Sequence, residues 1–289
     1  MTYFKKGIPF FFVLLWSTGF IGAKYGLPYA GTGDFLTLRI LGNIIVFVLL
    51  LLLLKQPRLS FKQILHSMLT GLLIHGAYLG GVFGAIEYGI SAGVTAIIVG
   101  LQPLLTAFIA MYLFKESLAK KQWLALTIGL LGIGLVVLNQ VDLSQVSTHA
   151  LMYAFIALFG ITIGTLYQKR FCQNQPLLPS ILWQYIASLA VFLPIAYIQA
   201  APAVNWQPEF IMALLWLIIG LSVVSILLLL YMIEHGAASK VSSYFYLVPA
   251  VTAFEAWLLF DETLSIVSLL GMVLCVASVY VLTHKKIAR

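Results

Sequence analysis

Residues 86–116 read IEYGISAGVTAIIVGLQPLLTAFIAMYLFKE, and residues 233–262 read IEHGAASKVSSYFYLVPAVTAFEAWLLFDE. Both open with Ile-Glu-x-Gly (Ile86, Glu87, Gly89; Ile233, Glu234, Gly236). Both carry a proline followed by Thr-Ala-Phe (Pro103, Thr106 to Phe108; Pro249, Thr252 to Phe254), and both close on Leu-Phe-x-Glu at Glu116 or Glu262. The repeat continues in outline to about Asn139 in the first copy, over the fourth and fifth hydrophobic segments, and to the C-terminus in the second, over the ninth and tenth. Because five spans is an odd offset, two such copies cross a membrane in opposite directions. This stretch therefore predicts an internal repeat with inverted topology.

Composition agrees that the setting is a membrane. The 289 residues are 62% hydrophobic and 9% charged, with a mean hydropathy of +1.05. Soluble domains carry roughly 25% charged residues, so a soluble enzyme is excluded and a polytopic membrane protein is expected. A formal charge of +7 would suggest nucleic acid in a soluble chain; here its placement explains it, and no nucleic-acid partner is expected. Cys172 and Cys275 form neither a disulfide framework nor a metal site by their positions. The apolar run after Lys5 and Lys6 ends without a clean small-x-small cleavage site and reads as the first span.

Spanning segments fall at about 8 to 23, 34 to 54, 64 to 86, 92 to 113, 121 to 139, 149 to 169, 178 to 198, 210 to 232, 238 to 260 and 265 to 283, each close to the ~20 residues that cross ~30 Å of hydrocarbon. The expected fold is an all-α polytopic membrane protein, its ten transmembrane helices forming two inverted five-helix repeats over about 8–139 and 149–283. With the N-terminus cytoplasmic, that side collects Lys5, Lys6, Lys55, Arg58, Lys62, Lys115, Lys120, Lys121, Lys169, Arg170, Lys240, Lys285, Lys286 and Arg289. Only Lys24 falls on the other side and Arg39 within a segment, so both termini are read as cytoplasmic.

Several residues are costly or unusual in such segments. Gly76, Gly80 and Gly84 bare one face of the third segment and favour close packing. Trp16 lies near mid-depth, where its indole either packs or lines a wet cavity. Gln102-Pro103 and Pro249 interrupt matching segments and mark hinges; breaks at matching places in two repeats point to a binding site near the midplane. Arg39 and Glu255 each lie roughly 7 Å below the outer end of a segment, a depth that suits a charge pair. Glu255 has a second reading, binding a cationic part of a substrate or cycling a proton, and His75 is a second candidate for proton coupling. Tyr153, Trp183, Gln184, Tyr185 and Tyr244 to Tyr246 supply amphipathic groups at similar depth. Glu116 and Glu262 read as acidic caps on the helices that follow them.

The chain lacks a Walker sequence, a potassium-filter motif and His-Glu-x-x-His, so nothing indicates ATP hydrolysis, a potassium channel or a metalloprotease. Leu15-Trp16-Ser17-Thr18-Gly19-Phe20, the Gly/Ala stretch from Gly89 to Ala96, Gln102-Pro103 and Leu113 to Glu116 resemble the drug/metabolite transporter superfamily, in its ten-helix branch with two EamA domains. The resemblance covers essentially the whole chain. It implies a pseudosymmetric basket around a cavity, with Trp16, His75, Tyr78, Leu79, Val99, Gln102, Tyr153, Tyr244 and Glu255 as cavity residues. The second copy is one residue shorter before its proline, which shifts the equivalence of Tyr244.

The resulting expectation is a non-enzymatic secondary exporter of small metabolites, amino acids or related amphipathic compounds foremost, in a bacterial inner membrane. Its partners would be a small-molecule substrate, membrane lipid and protons; it would need no cofactor or metal and act as a monomer. Broad-specificity drug efflux is the alternative within the class, and a lipid flippase or membrane scaffold the alternative outside it.

Overall fold

The computed structural model describes residues 2–114, 120–140, 147–199, 201–228, 232, 247–261 and 265–283. Among these residues every regular element is helical. The helices are α1 (Thr2–Gly26), α2 (Thr32–Leu53), α3 (Phe61–Glu87), α4 (Ala92–Val99), α5 (Gln102–Phe114), α6 (Lys120–Gln140), α7 (Thr148–Phe171), α8 (Leu177–Gln199), α9 (Pro208–Leu228), α10 (Val248–Phe260) and α11 (Ile266–Thr283). Uniformly apolar sequence selects helices because hydrocarbon offers no partner for backbone N–H and C=O groups, and a helix satisfies them within itself.

Among the described residues, six helices are long and apolar enough to cross a membrane: Gly7–Tyr29, Thr32–Leu53, Phe61–Glu87, Thr148–Phe171, Leu177–Gln199 and Pro208–Leu228. The other expected spans appear as shorter apolar helical stretches. The fourth is split into α4 and α5 at Gly100 and Leu101, where Leu101 N–H bonds Ile98 C=O at 3.1 Å in place of a four-residue bond. Pro103 falls in the first turn of α5 and Pro249 in the first turn of α10, where a missing N–H costs little. The expected hinge prolines thus begin helices. α10 ends at Asp261, whose φ of 51° is left-handed and stops the helix.

The chain forms two compact units: Met1–Ile21 with Gly89–Ser147 and Val223–Arg289, and Gly22–Tyr88 with Thr148–Ser222. Each draws on both halves of the sequence. In the first unit α6 packs along α11, and α4 packs against α10. Gly132 permits the first of these contacts, since a Cβ there would stand 2.7 Å from Gly271 O. Ser278 Oγ donates to Ala125 O across the same pair at 2.7 Å.

In the second unit α2 packs along α8, and α3 lies against α7 and α8. α3 comes close to α7 at Gly81, where a Cβ would stand 2.5 Å from Tyr153 O and Ala157 N. Of the expected glycine row, Gly84 abuts the Tyr153 ring, while Gly76 has nothing nearer than 3.8 Å. Two stretches, Leu72–Leu79 of α3 and Trp216–Ser225 of α9, are wound as π-helix. Ser222 Oγ follows that wider register, donating to Leu217 O five residues back at 3.0 Å.

The start of α2 has no cap in its own sequence, since Gly31 lacks a side chain. Glu87 at the end of α3 and Gln199 at the end of α8 supply the missing acceptors: Thr32 N–H donates to Glu87 Oε1 and Gly33 N–H to Gln199 Oε1, both at 3.1 Å. The first glutamate of the repeat is therefore a distant helix cap.

Candidate functional site

The first unit brings α1 and α10 together at Glu255. Ser17 Oγ lies 2.8 Å from Glu255 Oε1 and 2.7 Å from Leu14 O, and Thr252 Oγ1 donates to Ser17 O at 3.4 Å. Ser17 and Thr252 are fully buried (0% exposed), and buried Glu255 Oε2 has no hydrogen-bond partner. A hydroxyl has one hydrogen. Ser17 donates either to an ionised Glu255, leaving Leu14 O to its backbone partner, or to Leu14 O while a protonated Glu255 donates to Ser17 Oγ. The arrangement accepts both charge states of Glu255 through rotation of one hydroxyl.

The other expected residues of this unit lie along the same helices. Trp16 is half-buried with its ring centroid 5.4 Å from that of Phe12, Val99 is buried near the end of α4, and Gln102 begins α5. Gly100 meets Pro249 directly: a Cβ at Gly100 would stand 2.5 Å from the proline Cγ. Ile97, Gly100, Pro249, Ala250, Met272, Cys275 and Val276 line a small cleft there. Tyr244, Glu116 and Glu262 lie outside the described residues.

The second unit holds Arg39, His75, Tyr78, Leu79 and Tyr153. Arg39 is 4% exposed, and its Nε has no hydrogen-bond partner. Among the described residues, the Tyr78 and Tyr185 phenols and the His75 imidazole act on it electrostatically. His75 lies in the π-helical stretch, with its ring centroid 4.5 Å from that of Tyr185, and the Gln184 side chain lies within polar reach of it. From Gln184 polar contacts continue to Ser180 at 3.4 Å, from Ser180 to Ser67 at 2.8 Å, and from Ser67 to Gln175 at 3.0 Å.

Tyr153 stands apart from that cluster. It stacks on Tyr88 at 5.4 Å, and Tyr88 stacks on His149 at 6.0 Å, making an aromatic ladder beside Glu87. Leu79 is buried at the last π-helical position. Arg39 belongs to one unit and Glu255 to the other, and within its own unit each has the surroundings just given. Sequence reasoning passed over Asn43, which follows Arg39 by one helical turn, and gave Ser17 no task. An amide four residues from an intramembrane arginine is the signal that would have found the first.

Six described helices long and apolar enough to cross a membrane, burying serines and an arginine among them, describe a multi-pass membrane protein. The chain belongs to the EamA-like transporter family, which it matches over residues 6–138 and 148–284. It is 25% identical over 273 residues to the "Uncharacterized transporter YdfC" of Bacillus subtilis (strain 168), covering 92% of this chain and 86% of that protein. It is 21% identical over 278 residues to the "Probable amino-acid metabolite efflux pump" of Salmonella typhimurium (strain LT2), covering 93% and 91% respectively. A solved crystal structure shares the fold with a TM-score of 0.62 at 19% identity, over 95% of this chain and 94% of that one.

Proposed function

We propose that the protein is a secondary transporter that exports small amphipathic metabolites, amino acids or related compounds foremost, by alternating access. In this reading ten helices span the bacterial inner membrane as two inverted five-helix repeats, with both termini cytoplasmic, and the monomer is the working unit. The observation that carries it is the pairing of segments that a five-helix repeat would relate. The second segment packs on the seventh (α2 on α8), the fourth on the ninth (α4 on α10), and the fifth on the tenth (α6 on α11). A two-fold axis in the membrane plane produces that pattern of like against like. The meeting of Gly100 with Pro249 adds a helix break at corresponding places, where inverted-repeat transporters hold their substrates.

Glu255 is the proposed proton carrier, since Ser17 serves it in either charge state. His75 is the second candidate for coupling. The relative named for amino-acid metabolite efflux favours amino acids over drugs as first probes.

The test is export of a labelled metabolite panel from cells expressing the chain, followed by counterflow in proteoliposomes. Accumulation outside the cell together with counterflow of the same compound supports the reading. A purified protein that moves none of the panel in either format overturns it.

A further inference from the structure

Resting on the transport reading, the second unit assigns the group of the substrate that is recognised. Arg39 stays protonated in a protein and is nearly fully buried, yet among the described residues of its unit the ionisable groups that act on it are two phenols and an imidazole, with no carboxylate among them. A buried charge without an opposite charge is costly, and inside a membrane it marks a functional position. Asn43, one turn further along α2, is 0% exposed, and neither its Nδ2 nor its Oδ1 has a hydrogen-bond partner. One turn beyond, Phe47 meets Tyr185 with ring centroids 5.5 Å apart. Residues 39, 43 and 47 therefore form one stripe of α2, turned toward the helix that carries Tyr185. His75 and Tyr78 are only partly buried, so the cluster is not sealed.

The unanswered atoms specify a ligand. Arg39 Nε and Asn43 Nδ2 need an acceptor, and Asn43 Oδ1 needs a donor. A halide or acetate accepts and donates nothing. An amine without a carboxylate donates but is repelled by the guanidinium. A carboxylate with an ammonium group beside it answers all three, and its negative end supplies the counter-charge. We propose that Arg39 and Asn43 form the recognition site for the carboxylate and amine of an α-amino acid or an equivalent zwitterion.

The full chain in nanodiscs is titrated with each proteinogenic L-amino acid, and the binding ones are compared with their methyl esters, their decarboxylated amines, sodium acetate and sodium chloride. Wild type, Arg39→Lys and Asn43→Leu are measured by equilibrium binding and by thermal unfolding without ligand. Expected is binding of at least one amino acid, with ester and amine about tenfold or more weaker, because they leave buried groups unpaired. Asn43→Leu keeps α2 helical and removes the orphaned amide, so its unliganded unfolding midpoint holds while affinity falls about tenfold or more. Arg39→Lys keeps the charge and loses affinity similarly.

The proposal is overturned if no amino acid binds, if ester or amine binds as well as the acid, if chloride or acetate alone competes fully for the site, or if both variants bind as wild type does. Proteoliposome transport separates this from the broader reading. Transport with unaltered affinity in Asn43→Leu removes the site and leaves the transporter; amino-acid binding that fails in Asn43→Leu, with no transport in wild type, does the reverse.

Discussion

Ser17 and Glu255, 238 residues apart in sequence, share one hydrogen bond of 2.8 Å, and the same serine hydroxyl lies 2.7 Å from its own helix at Leu14 O. A carboxyl group so placed changes protonation without losing its neighbour, because only the direction of donation reverses. Replacing the carboxylate fixes one direction. Glu255→Gln is expected to keep counterflow of substrate against substrate and to flatten the dependence of net transport on pH. Proteoliposome measurements from pH 5.5 to about 8.5 check this; a pH profile identical to wild type removes Glu255 from proton coupling.

Gly100 and Pro249 are in contact, so their substitutions are not independent. Gly100→Ala places a Cβ against the proline ring and is expected to destabilise the protein by about 1–3 kcal/mol, as overpacking does. Pro249→Ala removes the obstructing ring. The double variant is then expected to recover about 0.5 kcal/mol or more relative to the sum of the singles. Unfolding midpoints in one detergent measure the coupling, and strict additivity rejects the contact.

Cys172 follows the end of α7, where burial pushes its thiol up from the usual range and the Thr70 hydroxyl 3.4 Å away only partly offsets this. A raised thiol holds little thiolate near neutrality. Maleimide labelling is therefore expected to be slow and to accelerate about tenfold per pH unit up to the thiol's own pKa. In the proposed orientation an impermeant reagent labels it in inverted vesicles and not in intact cells. Labelling in intact cells reverses the topology.

The cap supplied to α2 by Glu87 gives a stability prediction. Glu87→Ala leaves the Thr32 N–H without its acceptor and is expected to cost about 1 kcal/mol, whereas Glu87→Gln retains an oxygen and costs less. Thermal unfolding of the two variants side by side distinguishes them, and equal losses would mean that charge alone matters there.

The helical character of the chain was legible because apolar runs of this length have one solution in hydrocarbon, and the long spans from Thr32 to Leu53 and from Leu177 to Gln199 appear close to their expected limits. The split at Gly100 and Leu101 was anticipated only as a kink at Pro103, since a proline shows where a helix is weak and not on which side it gives way. Glycine spacing pointed to the row at Gly76, Gly80 and Gly84, but the glycine of α3 that meets the α7 backbone at Tyr153 and Ala157 is Gly81. A π-helical turn shifts the phase of everything after it, which a fixed period cannot anticipate.

Of the candidate site, the charged members were evident because they are expensive in a membrane, as Arg39 and Glu255 illustrate. Their hydrogen-bonding company was not. Ser17 is an ordinary small residue in a helix until Glu255 is known to face it. Asn43 looks like a single polar interruption until both its amide atoms prove unanswered. Partners chosen by tertiary packing leave no periodic trace.

The wide winding of α3 from Leu72 to Leu79 gives the helix a stored twist. Trading one such turn for ordinary α-winding shortens the count by a residue and screws everything downstream, through Glu87, by about 100°. His75 and Tyr78 ride on that screw thread, and Glu87 at its far end grips the start of α2. A rearrangement confined to one segment would thus turn the inner polar groups and tug the membrane-edge cap in a single stroke, as a camshaft links two valves.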